Sequence, residues 1–146
     1  MKFTILKETE LCWFLEIRNS CSDMLHDTRK FTLEECENWY YEDEPLYWKI
    51  EENDIPVGYF RTSKWSAGSL YIGADIHQDF RGQGIATRAY PLFMKKLVEE
   101  FQIQTFLLEV KKVNELAFNL YKKLNFKIVS ETEDSYKMRL DYDSII

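Results

Sequence analysis

Residues 78–90 read QDFRGQGIATRAY, with Gly82 and Gly84 one residue apart, behind Arg81 and ahead of an amphipathic run. An apolar segment, LYIGADI, comes just before. The pattern constrains the chain to a strand, a glycine turn and a helix. The first N–H groups of a helix have no partner inside it and point outward, so such a turn is an anion site. Glycine has no Cβ, so the backbone at 82 and 84 can approach a phosphate to hydrogen-bonding distance. Arg81 can neutralise part of its charge.

The kind of anion follows from what surrounds the glycines. A phosphate-binding loop of the nucleotide type needs Gly-Lys-Ser/Thr, and Gly84 is followed by Ile85 and Ala86. A dinucleotide fingerprint needs a third small residue where Thr87 stands. A net charge of -6 and a pI near 5.0 exclude a duplex nucleic-acid binder, which needs a basic face to displace counterions. The anion is held locally, against the average field.

The 146 residues, 45% hydrophobic, are enough for one domain over 1–146 with its own core. Cys12, Cys21 and Cys36 are odd in number and lack metal-type spacing, which argues against a disulfide framework and against a bound metal. The opening MKFTILKETE lacks the apolar core of a signal peptide, and no stretch reaches the roughly 18 apolar residues of a membrane span. A cytoplasmic protein with no membrane partner is the expectation.

Periodicity predicts the elements. A strand is expected at 3–7, then a helix over 10–19 with Leu11, Phe14, Leu15 and Ile17 on its apolar face. Thr32 and Glu35 form a capping box that starts a second helix, running through Trp39 to about Tyr41 and stopped by Pro45. Strands follow at 46–50, 55–62 and 70–76, expected as three antiparallel neighbours. A third helix carries Ile85, Ala89, Leu92, Phe93, Leu97, Val98 and Phe101 on one stripe, weakened at Pro91, which cannot donate to the Thr87 carbonyl. A strand at 105–110, apolar enough to be covered on both faces, leads to a helix over 114–124 with Leu116, Leu120 and Leu124 on its stripe. Asn125 stands where a left-handed cap belongs, and strands at 126–130 and 135–140 close the chain. The order predicts a mixed α+β domain.

Two motifs in this order carry a resemblance. RGQGIA, 81–86, resembles motif A (Q/R-x-x-G-x-G/A) of the GNAT N-acetyltransferase family, and NELAFNLYKKLNF, 114–126, resembles its N-x-x-A-x-x-x-Y-x-K-x-G-F segment. Asn114, Ala117, Tyr121, Lys123 and Phe126 are in register, and Asn125 replaces the usual glycine. The resemblance spans essentially the whole chain. It implies a central, mostly antiparallel, twisted sheet of about seven strands flanked by four helices. It also implies acetyl-CoA as donor, with Ile76, Arg81, Gly82, Gln83, Gly84, Ile85, Ala86, Asn114 and Tyr121 as its binding residues. Asn114 then holds the pantetheine arm, backbone N–H groups near Ile76 stabilise the oxyanion, and Tyr121 protonates the leaving thiolate. Asn114 and Tyr121 are seven positions apart, which is two helical turns, so both side chains return to one face.

The base is open between Asp75, His77, Glu109 and a water chain. Strand alternation puts Gly73, Asp75 and His77 on one face, and Glu109 is a carboxylate inside an apolar strand, costly unless it has a task or partner. By analogy with the family the acceptor lies against the early chain, where RNSCSDMLHDTRKFT supplies Arg18, Asn19, His26, Asp27 and Arg29. Those groups suit a hydroxyl-rich or phosphate-bearing small-molecule amine. The phrase RN…LHD…FTLEE…W, within 18–39, together with YIGADIHQDFRGQGIA, 71–86, resembles a branch that modifies amino sugars carried on nucleotides. A protein N-terminus or lysine as acceptor, and a non-catalytic acyl-CoA-binding module, are the alternatives. Trp39, Tyr40, Tyr41, Tyr47 and Trp48 read first as core, and otherwise as a stacking surface or a homodimer contact.

Overall fold

The structure, a computed structural model, describes residues 1–142. Its elements follow as β1 (Lys2–Ile5), α1 (Leu11–Ser20), α2 (Leu33–Asp43), β2 (Leu46–Glu52), β3 (Ile55–Ser66), β4 (Ser69–Ile76), α3 (Ile85–Phe101), β5 (Thr105–Lys111), α4 (Glu115–Lys123), β6 (Lys127–Glu131) and β7 (Ser135–Asp141). The strands form one sheet in the order β1-β2-β3-β4-β5-β7-β6. Its β4/β5 pair is parallel, while β1/β2, β2/β3, β5/β7 and β6/β7 are antiparallel. This is the expected mixed α+β architecture. The described residues divide into two compact units, one of residues 1–62 with 73–89, the other of residues 63–72 with 90–142.

In the first unit, Leu11, Phe14 and Ile17 of α1 are buried, and with Leu6, Cys36 and Tyr59 they form an apolar cluster. Recurrence at every third position turns these side chains to one face, and each such burial stabilises by roughly 1.5–3 kcal/mol. Helix α2 starts where the capping box places it: Thr32 Oγ1 accepts from the Glu35 N–H, while the Glu35 carboxylate accepts from the Thr32 N–H. It ends with Glu44 at φ 45°, followed by Pro45. The β2–β3 turn has Asn53 and Asp54 both at positive φ, 54° and 63°, matching the twist of a two-residue hairpin. Of the aromatics near Pro45, Trp48 is buried, Trp39, Tyr40 and Tyr47 pack on the cluster, and Tyr41 is exposed.

The second unit departs from the expected stripes. Tyr90, Phe93, Met94 and Leu97 of α3 are buried, whereas Leu92 is 50% exposed and Phe101 42%. Each residue turns the helix by about 100°, so Leu92 falls off the edge of a face centred between Tyr90 and Leu97. Phe101 instead sets its ring edge against Trp65 at the end of β3. In β5, Phe106, Leu108 and Val110 are buried while Glu109 is exposed, so the strand is covered on one face and not on both. Leu116 of α4, assigned to the apolar stripe, is 87% exposed, and Tyr121 is the buried residue of that helix. Asn125 takes φ 74° as expected. The Phe126 N–H reaches the Tyr121 carbonyl and the Asn125 N–H that of Lys122, both at 3.0 Å, which closes the helix in a Schellman motif.

Candidate active site

Strand β4 ends at Ile76, and His77 turns the chain into a single 3₁₀ turn, Gln78–Phe80, by accepting from the Asp79 N–H at Nδ1 (3.1 Å). Gly82 and Gly84 then take φ of 76° and 73°, the region where a side chain is strained, and α3 begins at Ile85. A Cβ built at Gly82 would meet no protein atom within 4 Å, so the space beside the turn is open. Exposed, with helical N–H groups just behind it, the turn fits a diphosphate.

Two arginines hold this turn. Arg88, which the motif does not mark, donates from Nη1 to the Gln83 carbonyl (2.8 Å) and from Nη2 to both carboxylate oxygens of Glu52 (2.9 and 2.8 Å). Arg81 donates from Nε to the Ile76 carbonyl (3.0 Å) and from Nη2 to Ser20 Oγ (3.2 Å) and Cys21 Sγ (3.0 Å). The side chain expected to meet phosphate thus also ties the turn to the end of α1.

In the second unit, Asn114 caps α4, its Oδ1 accepting from the Ala117 N–H at 3.3 Å. Tyr121, 7% exposed, shares a hydrogen bond between hydroxyls with Tyr90, 1% exposed, at 3.1 Å, and their rings meet edge to face. Sequence reasoning missed Tyr90, which the helical period reads simply as an apolar position.

A cavity of about 470 Å³ lies within the first unit, lined from α1, α2, the loop after α1, β2 and β3. Phe14 stacks on Trp39 and Tyr47 on Tyr59, building aromatic walls. Of the residues expected at the acceptor, Arg18, His26 and Arg29 line this cavity and Asn19 does not. Asn19 instead exchanges two hydrogen bonds with the Phe31 backbone (2.9 and 3.0 Å) and fastens the loop. Arg18 is largely occupied likewise, donating to the Arg29 and Asp27 carbonyls and stacking over Phe31. Arg29 binds the Asp27 carboxylate through Nε and Nη2 (2.9 and 2.7 Å), which holds that carboxyl well below the usual range.

Residues 11–126 match the acetyltransferase (GNAT) family. The chain belongs to that family. It is an N-acetyltransferase, and its fold is that of solved acetyltransferases. Spermidine/spermine N-acetyltransferase SpeG of Vibrio cholerae, solved in mutant forms, superposes with a TM-score of 0.85 at 14% identity, covering 98% of this chain and 94% of that one. Ribosomal-protein-alanine N-acetyltransferase of Brucella melitensis gives 0.77 at 15%, covering 97% and 99%. The yncA protein of Salmonella typhimurium, solved with its cofactor acetyl-CoA, gives 0.74 at 15%, covering 97% and 93%. No curated protein matches the sequence. Among the described residues no group of three or more His, Cys, Asp or Glu side chains could hold a metal ion, and no helix is long and apolar enough to cross a membrane.

The acetyltransferase's three side-chain base candidates separate. Asp75, 6% exposed, lies with Oδ2 3.2 Å from Arg61 Nε, an ion pair on the sheet. His77 has Nδ1 engaged by the Asp79 amide, and its Nε2 lies 3.7 Å from Glu16. Glu109 lies on the exposed face of β5 in register with Lys137, so the cost that singled it out does not arise. The His77 N–H donates to the Val57 carbonyl at 2.8 Å, which ties the end of β4 to β3.

Proposed function

We propose that this acetyltransferase transfers the acetyl group of acetyl-CoA directly to the primary amine of a small molecule seated in the cavity beneath α1 and α2, and that the acceptor is an amino sugar, nucleotide-linked. The observation that carries the reading is the cavity itself. Its volume, near 470 Å³, admits a sugar with a substituent, its walls are stacked aromatics, and His26 and Arg29 lie on its polar loop. Aromatic faces suit the apolar side of a sugar ring, and cationic side chains suit a phosphate.

Acetyl-CoA, when bound, supplies an activated thioester. The residues of the chain supply the rest. The turn Arg81, Gly82, Gln83, Gly84 with the amides of Ile85 and Ala86 receives the diphosphate, and Arg88 keeps the Gln83 carbonyl turned back on itself. Asn114 meets the pantetheine arm. The Ile76 N–H faces the developing oxyanion. Tyr121 donates its proton to the departing sulfur, and Tyr90 donates to the phenolic oxygen left behind. With Asp75 engaged by Arg61 and His77 by Asp79, the proton of the acceptor ammonium leaves through water.

Release of CoA thiol, followed with glucosamine, a UDP-linked amino sugar, spermidine and a lysine peptide, tests this. The nucleotide sugar is expected to give the highest kcat/KM. Preference for spermidine or the peptide overturns the amino-sugar acceptor, and release with none of these overturns every acceptor class named here. Tyr121→Phe should lower kcat by about ten- to a hundredfold with little change in the acetyl-CoA KM, since a thiolate of pKa near 8.5 is already a fair leaving group. Tyr90→Phe should lower kcat in the same direction and by less. An unchanged kcat in Tyr121→Phe removes its role as acid.

A further inference from the structure

Arg61 belongs to neither family motif, yet the fold places it with care. Alternation along β3 brings Tyr59 and Arg61 to one face, and Arg61 pairs in register with Tyr47 of β2. All three line the cavity. A cation on a covered sheet face is costly unless something compensates it.

The neighbouring strand provides both a seat and a counter-charge. A Cβ at Gly73 of β4 would lie 2.6 Å from Arg61 Nη2 and 2.8 Å from Cζ, so the guanidinium rests where that residue has no side chain. Two residues on, Asp75 sets its Oδ2 3.2 Å from Nε. The carboxylate lies at the Nε edge as a counter-charge, and the arginine side chain stays 36% exposed on the cavity wall. The phenols beside it are donors too: burial pushes the Tyr47 hydroxyl up and the Tyr59 hydroxyl well above its ordinary value, so both keep their protons. Arg18 and Arg29 also line the cavity, Arg18 donating to loop carbonyls and Arg29 to the Asp27 carboxylate. The start of α2 contributes Glu35, whose carboxyl is held low by the Thr32 amide and hydroxyl and is therefore ionised.

We propose that Arg61, seated on Gly73 and aligned by Asp75, grips an anionic group of the acceptor, so that the cavity selects amines that also carry a phosphate or carboxylate. The proposal rests on the acetyltransferase reading and narrows its acceptor class. It makes Arg61 a specificity-determining residue and Asp75 a positioning one.

The test compares matched acceptors that differ by one anion. Glucosamine 6-phosphate against glucosamine covers phosphate, and alanine against alanine amide covers carboxylate; the pair showing preference identifies which anion is used. The anionic member should exceed its neutral partner in kcat/KM by about tenfold or more, as expected for a charge-assisted bidentate contact. Arg61→Gln should bring that ratio down towards one, Arg61→Lys should retain part of it, and Gly73→Ala should act like Arg61→Gln by pushing the guanidinium aside. Calorimetry with glucosamine 6-phosphate and with alanine follows the same ratio without turnover, and circular dichroism checks that each variant is folded. Equal use and equal binding of both members by the native chain overturn the proposal, as does a ratio preserved in Arg61→Gln. If no acceptor is acetylated but the anionic members still bind through Arg61, the proposed acceptor reading fails and the anion site stands.

Discussion

The turn at 81–84 and the sheet wall at 58–75 both depend on glycine, for opposite reasons. At Gly82 the backbone has φ 76° and a Cβ would meet no protein atom within 4 Å, so the residue is there for its backbone, and the open space is for something else. At Gly58 and Gly73 no left-handed backbone is needed, and a Cβ would fall 2.5 Å from the Asp75 carbonyl oxygen or 2.6 Å from Arg61. There the residue is absent volume, already filled by the protein's own atoms. A binding turn keeps room for a visitor, whereas a packed wall uses the room to hold a charged side chain in place. The two regions therefore respond differently to the same small substitution.

The largest effect should come from Gly58→Ala. Its new methyl would press on backbone, which cannot swing away as a side chain can, so β3 and β4 must part locally at a cost of about 3 kcal/mol. Denaturant unfolding should show a lower midpoint at unchanged slope. Full stability in this variant would erase the contrast between wall and turn. Gly82→Ala should cost less, about 1–2 kcal/mol of left-handed strain, and act chiefly on acetyl-CoA, raising its Kd several-fold in calorimetry. Gly82→Asn, which tolerates that φ better, should be milder; an alanine variant that binds as tightly as the native chain would mean the turn does not touch the donor.

The smallest effect concerns thiols on either side of this comparison. Cys36 lines the cavity, and burial pushes its thiol up to about 11, with Glu37 adding to the shift. Because the folded chain holds this proton more tightly than the unfolded chain, its contribution to stability is complete below pH 9.0 and is lost as pH rises towards 11. Thermal melts from pH 8 to pH 11 should show that loss in the native chain and less of it in Cys36→Ala. Labelling near pH 8 should modify exposed Cys12 first, Cys21 beside Arg81 next, and Cys36 last. Early modification of Cys36 would mean that the wall is more open than the turn.

What could be read from the residues alone follows the same division. The glycine turn, the Thr32–Glu35 capping box and the left-handed Asn125 obey rules that act over a few residues, and the expected elements follow from them. The seven strands and four helices were legible from periodicity, and their joining in one mostly antiparallel sheet was what the family resemblance implied. Leu92, Phe101 and Leu116 were misplaced because a helical period identifies a stripe and not the width that its neighbour covers. Glu109 was misread because an apolar strand looks alike whether one face is covered or two. The Arg61–Asp75 pair joins residues 14 positions apart across two strands, and Tyr90–Tyr121 joins two helices, so neither has a local signature. Strand register and helix packing create such contacts, and no short pattern announces them.

Arg81 begins with three acceptors already in its grasp: a carbonyl, a hydroxyl and a sulfur. To greet an incoming dianion it must exchange old partners for a new one, so the affinity gained reports a difference between two sets of contacts. Because those partners are uncharged, the guanidinium keeps its full positive charge, and donor binding should still weaken with added salt even though the net gain in hydrogen bonds is small.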